Sequence, residues 1–120
     1  MDNPIEIMNQ LKKLGAALQN ANKQLYEISK QKAEAEKIYR CELAKEILRL
    51  RTNGVPVTII SDLARGNEEI SLLKLERDKL EAFHDANKYE IKSIHERISI
   101  GQSCLAWYRQ EFVATNQINE

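Results

Sequence analysis

Breakers are scarce in this chain: four glycines and two prolines in 120 residues leave few points at which a helix has to stop. Cysteine is almost missing too. Cys41 and Cys104 stand alone, without a CxxC pair, so neither a zinc knuckle nor a disulfide framework is readable and no metal or other cofactor is expected. There is no excess of one charge. Lys plus Arg and Asp plus Glu both number 18, which removes the counterion-release drive behind nonspecific nucleic-acid binding. No run approaches the roughly 20 apolar residues of a membrane span. The opening MDNPIEIMNQ lacks the basic flank and apolar stretch of a secretory signal, so no membrane contact and a cytoplasmic location are expected. Neither His84 nor His95 has a serine or cysteine at believable triad spacing, so nucleophilic catalysis has no candidate and the chain reads as a non-enzyme.

What is present is apolar residue at helical spacing. Ile7, Leu11, Leu14, Leu18, Ala21, Leu25 and Ile28 follow steps of four and three, the seam of a heptad repeat. Lys32 interrupts it, Ala35 and Tyr39 hold the phase, and Leu43, Ile47 and Leu50 carry it on after one extra residue, a drift that changes supercoiling without ending a helix. A second seam runs from Ile70, Leu73, Arg77 and Leu80 through His84, Asn87, Ile91, Ile94 and Ile98 to Gly101, Leu105, Tyr108 and Phe112. Asn3 before Pro4 suits the first helix start. Asn67 before Glu68 and Glu69 suits the second, offering an acceptor to free N–H groups and negative charge to the helix dipole. The expected elements are a helix over about 4–51, an ordered knuckle over about 52–66 and a helix over about 67–115.

In the knuckle, Gly54 suits a left-handed helix end and Pro56 forbids continuation. Ser61 is placed to cap a short turn over 62–65, and Val57, Ile59, Ile60 and Leu63 are placed to plug the helix ends. Two arms of about 48 residues, each roughly 70 Å at 1.5 Å per residue, then predict an all-α fold: one domain, a long antiparallel coiled-coil hairpin. Centring the reversal on the knuckle puts Gly101 opposite Leu18 and His84 opposite Glu34. Leu72, Leu75, Ala82, Phe83 and Ala86 flank the second seam and Ala17, Ala33, Ala44 and Leu48 the first, more apolar surface than a lone two-helix rod covers. The simplest cover is a second copy, giving a homodimeric four-helix bundle with Leu72, Leu75 and Phe83 in the interface.

Arg77, His84 and Asn87 read as polar seam positions that fix register. Glu81-x-x-His84 with Glu34 opposite would supply, twice in a dimer, the ligand inventory of a di-metal carboxylate bundle. The knuckle has a faint helix-turn-helix rhythm, yet its second helix opens Asn67-Glu68-Glu69, carboxylates that repel phosphates. As a binding tip it offers Val55, Pro56, Val57, Thr58 and Arg65, a rigid loop on a scaffold. Trp107, just off the seam at the open end, is the other candidate anchor for a protein partner.

The stretch Leu48-Arg-Leu-Arg-Thr-Asn-Gly-Val-Pro-Val-Thr-Ile-Ile-Ser-Asp-Leu-Ala-Arg-Gly-Asn67, set between two charged helices, resembles small hairpin proteins of unknown function from phages and prophages of Gram-positive bacteria. That resemblance implies a phage accessory protein that binds a host replication or defence protein as an inhibitor or modulator. Prefoldin subunits share the length and hairpin shape, but the β-hairpins expected between their helices have no counterpart here. The expected function is a protein–protein interaction module; nucleic-acid binding through the knuckle and a di-metal bundle are the alternatives.

Overall fold

A computed structural model describes residues 3–119, and three helices account for nearly all of them: α1, Pro4–Thr52; α2, Val57–Gly66; and α3, Glu68–Asn119. There is no strand among the described residues. The start of α1 is a reciprocal cap: the Glu6 amide donates to Asn3 Oδ1 at 2.9 Å and the Asn3 amide to Glu6 Oε2 at 3.3 Å, which satisfies two donors that the first turn leaves orphaned.

The end of α1 is a Schellman turn. Gly54 takes φ 78°, the Gly54 amide donates to the Arg51 carbonyl, and the Val55 amide reaches back to the Leu50 carbonyl, both at 3.1 Å. Val55 then packs against Leu50, the apolar contact that accompanies this motif. Pro56 ends the turn and starts α2 without any side-chain cap. Asn67 alone joins α2 to α3: its amide donates to the Ala64 carbonyl at 3.3 Å, and its Oδ1 accepts from the Glu69 and Ile70 amides at 2.9 and 3.3 Å.

The connection is therefore helical where a short turn over 62–65 was expected. Ser61 lies inside α2 and caps nothing. Of the four apolar residues expected to plug the ends, only Ile60 is buried, together with Ala64 at 0% exposure, while Val57, Ile59 and Leu63 face solvent. Helical periodicity is the reason, since Ile60 and Ala64 stand one turn apart and meet Leu50, and a ten-residue helix has one inner face to offer.

The chain clusters into two compact units: Leu25–Ala86, and Met1–Gln24 with Asn87–Glu120. Within Leu25–Ala86, α2 is the first piece of the returning arm, so the reversal sits at 53–56 and not across the whole of 52–66. The core there is Leu50, Ile60 and Ala64, backed by Leu43, Ile47 and Val55, with Tyr39, Ile70 and Leu80 buried further along. Within the other unit, Ile7, Ala21 and Ile94 are buried, and α1 and α3 pack antiparallel: Leu11 lies on Gly101, and Asn87 Nδ2 donates to the Ala21 carbonyl at 2.8 Å.

Early reversal shifts the register. Gly101 faces Leu11, one heptad before the expected Leu18, and a β-carbon there would lie 2.7 Å from Leu11 Cδ2, so glycine allows the close approach. Every seam residue named from the sequence is buried or half-buried except Phe112. With Leu11 level with Gly101, Phe112 lies a turn past the level of Pro4 and has nothing on α1 to meet.

Candidate interaction surfaces

With the seam residues turned inward, the apolar side chains that remain outside define the surfaces available to a partner. On α3, Leu72 is 58% exposed, Phe83 59%, and Leu75 about half. Counted from the seam residues Ile70, Leu73, Arg77, Leu80 and His84, Leu72 and Leu75 fall on the face of the helix turned away from α1. Ala82 and Ala86 continue that face and Phe83 stands at its edge, all exposed. The edges are acidic: Glu69 and Glu76 along one side, Asp78 and Asp85 along the other, with Lys79 the one base on the stripe itself.

The reversal is the second surface. Pro56, Thr58 and Arg65 are exposed and Val57 is 79% exposed, whereas Val55 is half-buried in the α1–α2 core. Val55 thus holds the turn, and of the five proposed tip residues it is the one a partner would meet least. Ile59 and Leu63, one turn apart on the outer side of α2, are exposed beside Val57. Sequence reading placed them inside; their offset from Ile60 and Ala64 on a helical wheel was the signal that would have put them outside.

A third surface was not anticipated. Between α1 and α3 an apolar groove is walled by Ile7, Leu11, Leu14, Ile100 and Cys104, with Gly101 in its floor. Ile100 is 65% exposed. Trp107 extends the groove beside Ile100 and Cys104, half exposed and edge-on to Tyr108 with ring centroids 5.2 Å apart. The only charged side chains lining the groove are Lys13 and Arg97, and neither has an ion-pair partner among the described residues. The sequence signal was Ile100, a large apolar residue off the seam beside the only glycine in it.

The polar seam positions form a cleft of another kind. Arg77 lies over the Tyr39 ring, 4.6 Å from its centroid, and reaches Glu36 at 3.4 Å and Asp78 at 3.0 Å. Burial works against its charge, but the hydrogen bonds it donates to Asp78 and the nearby carboxylates outweigh it and raise its pKa. His84 shares this cleft with Ser29, Lys32, Glu36, Arg77 and Glu81, and its Nδ1 is buried without a hydrogen-bond partner. Asp85 Oδ1 stands 3.7 Å away, too far to satisfy it.

The shifted register separates His84 from Glu34, which lines a different cleft with Leu73, Glu76 and Leu80. Within one chain the anticipated Glu34–Glu81–His84 ligand set is therefore not assembled. Among the described residues no three His, Cys, Asp or Glu side chains converge as a metal site would require. Cys41 is exposed and Cys104 half-buried, both as free thiols. No described helix is long and apolar enough to cross a membrane. No family model, curated protein or solved structure matches the chain.

Proposed function

We propose that this chain is a non-enzymatic protein–protein interaction module that pairs with a second copy as a four-helix bundle and presents its helix reversal to another protein. One observation carries the reading: the heptad seams and the inner face of α2 already account for the buried apolar residues, yet Leu72, Leu75 and Phe83 remain outside them on one helix. Each such side chain gains roughly 1.5–3 kcal/mol when fully removed from water, and a twofold pair is the commonest way for a soluble chain to cover such a face. Pro56 at the end of the turn, Val57 and Thr58 in the first turn of α2 and Arg65 in its last stand exposed on a segment fixed by the Schellman bonds and the α2 core, which suits a preorganised contact site. The acidic opening of α3 after Asn67 counts against phosphate as the ligand of that tip.

The likeness of residues 48–67 to phage hairpin proteins extends the proposal to a phage accessory protein that modulates a host protein. The self-association arm is tested by light scattering of Leu72→Glu combined with Phe83→Glu. The mass falls to that of one chain with helix content unchanged; a mass equal to that of the parent protein counts against these residues as interface. The tip arm is tested by Val57→Asp with Arg65→Ala, which abolishes capture of a bound host protein and leaves oligomer mass and thermal stability in place. Capture that survives there and is lost with Trp107→Ala assigns the contact to Trp107.

A further inference from the structure

Two of the surfaces described above match each other in length, polarity and charge. The α3 stripe from Leu72 to Phe83 spans about 16 Å and the groove side from Arg97 to Trp107 about 15 Å at 1.5 Å per residue. The stripe is a convex row of leucines and Phe83 with acidic edges, Glu76 on one side and Asp85 on the other. The groove is a concave apolar channel floored by Gly101, and its only charged lining residues, Lys13 from α1 and Arg97 from α3, are basic and lack ion-pair partners among the described residues. Apolar anchors entering a groove as an amphipathic helix, with opposite charges meeting along the rim, is a recurring mode of helix recognition.

We infer that the groove lined by Leu11, Leu14, Ile100 and Gly101 is the docking site for the Leu72–Phe83 stripe of a second copy of this chain, with Lys13 and Arg97 facing Glu76 and Asp85 across the contact. The inference rests on the self-association proposed above and specifies which surfaces meet in it. Each copy carries one groove and one stripe, and the proposed pair is the twofold one in which both are filled, a closed assembly to which further copies do not add. The alternative pairing, stripe against stripe, would bring four acidic edges together and is disfavoured by like-charge repulsion.

Charge exchange tests this with sedimentation equilibrium. Lys13→Glu with Arg97→Glu makes the groove rim acidic, and Glu76→Lys with Asp85→Lys makes the stripe edges basic; all four positions are exposed, so folding is left intact and circular dichroism checks it. Each double variant alone is expected to self-associate at least about tenfold more weakly than the parent chain, since both of its contacts then oppose like charges. Mixed in equal amounts, the two variants are expected to recover association as a mixed dimer, because each groove meets an oppositely charged stripe. A parent chain that dimerises while both variants dimerise equally well, with no gain on mixing, overturns this pairing and leaves self-association standing. A parent chain that stays monomeric over the concentration range overturns self-association itself and this pairing with it.

Discussion

The unit Leu25–Ala86 has a third helix and the unit of Met1–Gln24 with Asn87–Glu120 does not. In the first, α2 turns Ile60 and Ala64 onto Leu50 and closes a small core. In the second, two helices bury Ile7, Ala21 and Ile94 but leave Leu11, Leu14 and Ile100 along an open groove. The difference lies at the reversal: α1 and the short α2 close on each other around Leu50, Ile60 and Ala64 with Val55 of the turn at their end, whereas α1 and α3 of the other unit leave one side of their seam open. Where the chain leaves its seam open, another surface is left to cover it.

Loss of the α2 closure is the largest expected effect. Ile60→Ala empties an enclosed site and is expected to lower stability by about 2–4 kcal/mol, against about 1–2 kcal/mol for Leu14→Ala in the open groove, read from urea midpoints of the two variants. Equal losses would erase the contrast between an enclosed and an open unit. Gly54→Ala meets no neighbouring atom, so its cost is conformational, about 1–2 kcal/mol for a side chain at positive φ, measured by thermal unfolding. A neutral result would mean that the turn relaxes out of the left-handed region.

Smaller effects sharpen the comparison inside helices. Gly15→Ala, with open space around the new methyl group, is expected to stabilise by about 1 kcal/mol through helix propensity. Gly101→Ala gains the same propensity but must displace Leu11, so it is expected to fall within about 1 kcal/mol of zero. Comparable stabilisation by both would show that Leu11 yields freely and that the close approach at Gly101 is incidental. Asn87→Leu removes one hydrogen bond to a carbonyl and is expected to change stability by less than about 1 kcal/mol while broadening the distribution of oligomer masses, as loss of a polar seam residue does. A single unchanged mass would remove Asn87 as a register device.

Much of this was legible in the sequence because a heptad pattern constrains every seventh residue at once. The two seams, the Asn3 and Asn67 caps and the left-handed Gly54 followed from residue type and spacing alone. The register did not, because it depends on where the chain turns. Val57, Ile59, Ile60 and Leu63 read as a plug for the helix ends while the segment is taken as a knuckle; once it is a helix, only Ile60, with Ala64 one turn on, faces Leu50. Centring the reversal on an ordered knuckle over 52–66 sets Gly101 against Leu18 instead of Leu11 and His84 beside Glu34, the pairing behind the di-metal alternative. The groove was invisible for a related reason: Lys13, Arg97 and Ile100 come together only once the register is known.

Sedimentation equilibrium of the parent chain, followed from low to high micromolar concentration, tests most directly the claim that the exposed apolar residues of α3 are covered by a second copy. The account predicts a mass rising to twice the 13.9 kDa of one chain and stopping there; a mass that stays at 13.9 kDa throughout would contradict it.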